Sequence, residues 1–213
     1  VAEIKRYHET RLLYDSKREI LWQTLCRCYF QPLIAADACV LELGAGYGHF
    51  INNIRCATRI AIDQWPGLEK HLAPEVVAKI GSVTDLSSVE AGSVDFIFAS
   101  NLFEHLRQDE FALVLQQVRT ILKPGGSLNI LQPNYRFAYR EYFDDYTHVA
   151  VYSDRSLSDF LTAHGFRVID CQPRFLPLTV KSALPVWPIL IQLYLALPFK
   201  PLGKQMLIRA VAD

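Results

Sequence analysis

Val40-Leu-Glu-Leu-Gly-Ala-Gly-Tyr-Gly-His49 is the stretch that decides the fold of this chain. An apolar run meets an acid, Glu42, and then three glycines at alternate positions, Gly44, Gly46 and Gly48. This pattern is the end of a buried strand, a tight loop and the first turn of a helix. With no Cβ in the way, a nucleotide-like cofactor can approach the loop backbone there.

Working outward, strands are expected at Cys39–Leu43, Arg59–Asp63, Val76–Ile80 and Val94–Ser100, with further strands at Ser127–Leu131, Phe166–Cys171 and Met206–Val211. The fourth is apolar almost throughout, as suits a strand covered on both faces. Helical spacing is clearest at 108–122, where Phe111, Val114, Leu115, Val118, Ile121 and Leu122 share a face. Helices are also expected from a Ser16–Glu19 capping box to near Pro32, over Tyr47–Ile54, at Gly67–Leu72, and from Ser153 to Gly165. Strands and helices alternate, which predicts a doubly wound α/β fold. Its sheet is mostly parallel, seven-stranded and Rossmann-like, with helices on both faces.

The 213 residues read as one domain. Residues 1–34 form an N-terminal helical extension, 38–170 the cofactor-binding core, and 175–204 an apolar insertion before the last strand. Lys plus Arg and Asp plus Glu both number 22, so the net charge is zero and there is no basic stripe for nucleic acid. The five cysteines show no metal-like pairing and read as free thiols, which with the absence of a signal-peptide pattern at Val1–Arg6 points to the cytoplasm. Residues 183–199 hold one strongly polar residue and three prolines. Barely long enough to span a bilayer and broken by prolines, such a segment is not read as a transmembrane helix; it is a core helix, a lid on the sheet edge, or a surface that meets a membrane or an apolar partner. Trp187, Tyr194, Lys181, Lys200 and Lys204 suit the last.

Two cofactors suit the glycine loop. A nicotinamide-type site needs G-x-G-x-x-G, but His49 stands where its third glycine belongs, and Glu42 would repel a pyrophosphate. Glu42–Gly48 instead resembles motif I of class I S-adenosylmethionine-dependent methyltransferases, in their small-molecule, type 11-like branch. Asp63 at the end of the second strand, Gly81–Asp85, Val94–Leu106 and Leu122–Leu128 resemble that family's later motifs in the expected order. The resemblance covers about residues 38–170 and implies S-adenosylmethionine as cofactor. It implies a loop of Gly44, Ala45, Gly46 and Gly48 against the methionine part, with Glu42 behind it and Asp63 on the ribose hydroxyls. It further implies Gln64 and Trp65 beside the adenosine, and Asn101 and Leu102 near the methyl group. Ser82 departs from the family's usual acid, which leaves the adenine contact to Ser82, to the Val83 backbone or to neither.

The acceptor side is expected in Pro133–Val151, because a long irregular segment in a compact domain usually has a function. Tyr135, Asp144, Asp145, Tyr146 and His148 cluster there, and His105 follows the fourth strand. Of these, His148, Asp145 and His105 are the catalytic candidates, as groups able to take a proton from an acceptor. Asp144, Asp145 and His148 match no standard metal spacing, so no metal is expected. The acceptor is read as a small molecule or saccharide methylated on oxygen or nitrogen. The alternatives are a non-catalytic S-adenosylmethionine-binding protein and a nicotinamide-type oxidoreductase. Oligomeric state is left unassigned.

Overall fold

In a computed structural model, residues 15–177 and 186–213 are described. The first fourteen residues of the helical extension therefore lie outside them, as do Lys181 and positions 183–185 of the apolar stretch. The sheet comprises β1 (Cys39–Leu43), β2 (Thr58–Asp63), β3 (Val76–Ile80), β4 (Val94–Ser100), β5 (Leu122–Pro133), β6 (Phe166–Leu176) and β7 (Gln205–Ala212). Their order is β3-β2-β1-β4-β5-β7-β6. The first five are parallel, and β7 runs antiparallel to both β5 and β6. This is the seven-stranded α/β sheet expected. The chain winds from β1 out to β3, then returns to lay β4 on the other side of β1. Such a reversal opens a crevice at the carboxyl ends of β1 and β4, where open α/β sheets bind ligands.

Alternation along the strands divides the core into two layers. Leu41, Leu43, Ile97, Ala99, Leu128, Ile130 and Ile208 point to one face. There they meet Phe111, Val114, Leu115 and Val118 of α2 (Gln108–Ile121) and Leu157 and Leu161 of α4 (Asp154–Ala163). Val40, Phe96, Phe98, Leu131 and Leu207 point to the other. That face is covered by Leu25 of α1 (Ser16–Leu25), by Phe30 in the π turn that continues it, and by Ile191 of α5 (Pro188–Ala196). Phe30 lies 5.4 Å from Phe50 and 5.0 Å from Phe98, ring centre to ring centre. This aromatic packing seats the N-terminal helix on the sheet beneath the glycine loop.

Several expected elements differ. The α1 cap is Asp15, whose carboxylate accepts from Lys17 N at 2.9 Å, one residue ahead of the predicted box. No α-helix spans Tyr47–Ile54; a single 3₁₀ turn occupies Ile51–Asn53. The asparagines there compete with a helical ladder. Asn52 donates to His71 O at 2.7 Å and accepts from Ala73 N, while Asn53 donates to His49 O. Likewise, Gly67–Leu72 yields only a 3₁₀ turn, Leu68–His71. β5 begins at Leu122 rather than Ser127, because Lys123–Gly126 forms a bulge between its first and second pairs with β4. The segment after β5 carries a short helix, α3 (Tyr135–Ala138), and a 3₁₀ turn at Tyr142–Asp144. All five cysteines are free thiols.

Candidate active site

One end of the crevice begins at the glycine loop. Gly44, Gly46 and Gly48 take φ of +68°, +53° and +67°, a region that side chains rarely enter. Gly44 N and Ala45 N donate to Ile62 O, so the loop hangs on the end of β2. A Cβ on Gly44 would come 3.0 Å from Leu102 Cδ1, which shows how closely the loop faces the turn after β4. Asp63 ties the two loops together: Oδ2 accepts from Gly46 N and Oδ1 from Trp65 N, both at 2.8 Å. A carboxylate has about four acceptor positions, so each oxygen keeps capacity for a further donor such as a ribose hydroxyl.

Glu42 is buried behind the loop and accepts from Ile51 N at 3.0 Å. Burial drives its carboxyl well above the usual range; the Ile51 N–H opposes this and the charge of Asp63 adds to it. Gln64 and Ser82 are exposed at the rim, and the Ser82 hydroxyl pairs with Thr84 Oγ1 at 2.8 Å. Val83 points its side chain into the core, leaving only its backbone for the crevice. Past β4, Asn101 holds a left-handed conformation (φ +50°), an arrangement asparagine tolerates better than most residues. Its Oδ1 accepts from Gln205 Nε2 at 2.7 Å and its backbone N–H donates to Leu131 O.

The other wall joins the turn after β4 to the segment after β5. Glu104 O accepts from both Val149 N (2.9 Å) and Ala150 N (3.1 Å), clamping the two together. The His105 and His148 rings are thereby brought to 4.8 Å, and His148 lies 4.7 Å from Tyr142. His105 Nδ1 is 2.9 Å from Thr147 Oγ1, and that hydroxyl donates to Asp145 Oδ1 at 2.6 Å. The three catalytic candidates, His105, Asp145 and His148, thus meet in one cluster. Burial pushes His105 down to about 4, with His148 acting in the same direction and Asp145 against it, so the ring is neutral at pH 7. Burial works to raise Asp145, but the Thr147 hydroxyl and N–H and the two histidines hold it below its ordinary value.

Two members of this cluster escape a sequence reading. Thr147 links His105 to Asp145 through its hydroxyl. Glu104 is fully buried, and neither carboxylate oxygen has a hydrogen-bond partner among the described residues. Burial carries its carboxyl up to about 8. The available signal is an acid set between Phe103 and His105 at the end of an apolar strand, where an unpaired charge is costly.

A methyltransferase-domain family model matches residues 14–170. The chain belongs to the S-adenosylmethionine-dependent methyltransferase family. S-adenosylmethionine is accordingly the cofactor of this methyltransferase. The left-handed glycines, the backbone-only inner edge of the loop and the acceptor capacity of Asp63 fit that molecule, and the nicotinamide alternative is set aside. Among solved structures, this methyltransferase is similar to an S-adenosylmethionine-dependent methyltransferase from Archaeoglobus fulgidus (TM-score 0.70, 19% identity, covering 97% of this chain and 98% of that one). It is also similar to one from Aquifex aeolicus (0.64, 16% identity, 100% and 98%). A third likeness is to a chain in a Haloferax volcanii complex of the Trm112 methyltransferase activator with a methyltransferase (0.68, 16% identity, 93% and 92%). At such identities the likeness speaks for the fold. Comparison with curated proteins gave no significant match.

Proposed function

We propose that this methyltransferase methylates an oxygen or nitrogen of a small or saccharide acceptor that enters over residues 133–150. The observation that supports this reading is the cluster of His105, His148 and Asp145 beside the turn after β4. When bound, S-adenosylmethionine supplies an electrophilic methyl carbon on a sulfonium. The chain then has to align an acceptor with that carbon, exclude water and receive a proton. Gly44–Gly48, Asp63 and Gln64 hold the donor, with Ser82 and the Val83 backbone at its adenine end and Asn101 and Leu102 at its methyl end. His148, with His105 and ionised Asp145 behind it, takes the proton from the acceptor. Tyr135, Tyr146 and Asp144 supply hydroxyl and carboxylate groups suited to a polyhydroxylated molecule.

The test is transfer of labelled methyl groups to a panel of amino sugars, deoxysugars and polyols, with short RNAs and peptides as controls. Label should appear on a saccharide. His148→Ala should lower kcat by roughly 10²–10⁴-fold, the usual worth of a positioned base, and leave S-adenosylhomocysteine affinity unchanged. Label on RNA or peptide alone would overturn the acceptor class. Cofactor binding with no transfer to any class would favour the non-catalytic alternative.

A second reading concerns α5. Ile191 is buried under it, but Trp187, Ile189, Leu193 and Phe199 are each more than half exposed. Arg174 lies over the Phe199 ring at 5.3 Å, and Lys200 follows directly, so cations rim the apolar face. Among the described residues no helix is long and apolar enough to cross a membrane. We propose that this face rests on an anionic membrane surface from the cytoplasmic side. The protein should sediment with phosphatidylglycerol vesicles, and Leu193→Ser with Phe199→Ser should lower the bound fraction at least fivefold. No sedimentation with the vesicles would end this reading.

A further inference from the structure

The buried Glu104 carboxylate is left without a purpose by the proton-transfer role of its neighbours. Hydrophobic surroundings should have replaced it, or a partner should have met it. Its closest chemistry is two imidazoles. Glu104, His105 and His148 each offer one ligand atom, and these atoms lie within 4.8 Å of one another. We propose that Glu104, His105 and His148 bind one divalent first-row metal ion, of the Zn²⁺ or Co²⁺ kind, on the acceptor wall of the crevice.

Three further observations support a built site. First, the ligands come preassembled: Glu104 and His105 are neighbours on one turn, and the Val149 and Ala150 amides on Glu104 O hold the loop that carries His148 against it. Second, the ring of His105 is oriented as a metal ligand should be. The Thr147 hydroxyl gives its hydrogen to Asp145 at 2.6 Å, so it accepts from His105 Nδ1, as does Thr147 O at 3.3 Å. This network puts the hydrogen on Nδ1 and the lone pair on Nε2, and gives the imidazole the carboxylate backing typical of bound metals. Third, the donor set is two nitrogens and one carboxylate. That combination suits Zn²⁺, Co²⁺ or Fe²⁺ over Mg²⁺ or Ca²⁺, which prefer oxygen throughout. Around an ion at about 2.0–2.2 Å the donor atoms would stand closer than they do now, by roughly an ångström, a movement within reach of side-chain rotation.

Three protein ligands leave coordination positions for an acceptor. The ion's role rests on the acceptor reading above, whereas its binding does not. A hydroxyl oxygen bound there becomes more acidic. With the ion bound, His148 is a ligand and no longer the base: the hydroxyl passes its proton to Asp145 or water, and the oxygen attacks the methyl carbon with its lone pair while the carbon–sulfur bond breaks and its electrons leave on sulfur.

The experiment uses the full chain, dialysed against a chelator and then titrated with Co²⁺ or Zn²⁺ alone. One ion per chain should bind, Co²⁺ should develop a visible d–d absorption band, and Zn²⁺ should raise Tm by several degrees. Glu104→Gln and His148→Ala should each weaken metal binding at least tenfold, yet bind S-adenosylhomocysteine at one per chain with affinity within twofold of the wild type, which certifies their folding. Asp145→Asn should weaken metal binding less than either. The proposal is overturned if the wild type binds S-adenosylhomocysteine but holds no stoichiometric ion, or if both ligand variants bind the ion as the wild type does. A chain that binds the ion but methylates no saccharide would sink the acceptor reading and leave the metal site standing.

Discussion

Asp63→Ala is expected to weaken S-adenosylhomocysteine binding by about 100-fold or more in calorimetry. The proposed donor site gives the Asp63 carboxylate two jobs. It accepts the Gly46 and Trp65 amides, which fixes the glycine loop against the end of β2. It also has acceptor capacity left for ribose hydroxyls. Hydrogen bonds to a charged group are worth about 1.5–3 kcal/mol each, and about 1.4 kcal/mol is a factor of ten in affinity. Losing even two such bonds in the complex thus reaches the expected range. Asp63→Asn separates the two jobs. The amide oxygen can still accept from one backbone N–H, but the amide nitrogen is a donor and faces the second without an acceptor. Its loss should fall between wild type and alanine, at roughly tenfold. An Asp63→Ala protein that binds within threefold of the wild type would remove Asp63 from the donor site.

Glu104→Gln should remove a pH dependence from the stability of the metal-free chain. In the folded state burial raises this carboxyl from 4.5 to about 8. Between those values the unfolded chain ionises it and the folded chain does not. The unfolded state therefore binds fewer protons, and stability falls as pH rises. The contribution is complete below pH 4.5 and is lost on the way to pH 8 and beyond. At about 1.4 kcal/mol per pH unit, the full loss is roughly 5 kcal/mol. Glutamine keeps the shape without the charge. Urea unfolding in the presence of a chelator at pH 5 and pH 8 should show the wild type losing several kcal/mol relative to the variant. Taking the difference between the two proteins cancels the other titrating groups, His105 among them. Parallel behaviour of the two proteins would show that Glu104 is not held neutral.

The strands were readable because each is rich in apolar residues and bounded by turn residues, and β4 is apolar almost throughout. The glycine loop was readable because three left-handed positions demand three glycines. The helix expected after that loop was misread because Asn52 and Asn53 spend their amides on backbone carbonyls outside a helix. The meeting of His105 with His148 was only partly visible. Both were candidates by position and chemistry, but the clamp that joins them uses the Glu104 carbonyl and two backbone amides, which no residue type announces. Glu104 itself was hidden because an acid after an apolar strand ordinarily faces water. The apolar stretch was read in three ways, and Trp187 and Phe199, exposed beside a buried Ile191, show why periodicity could not choose among them.

The placement of β7 sets an order of assembly. β5 and β6 are both made before it, yet neither pairs with the other; each waits for the strand that slides between them. The first residue of that strand, Gln205, is also the one that grips Asn101 in the turn after β4. A growing chain can therefore lay down β1 to β5, with the glycine loop and Asp63 in place, while Asn101 still lacks its support. The glycine-loop end of the crevice can thus form before the Asn101 end, whose stitch to Gln205 waits for β7.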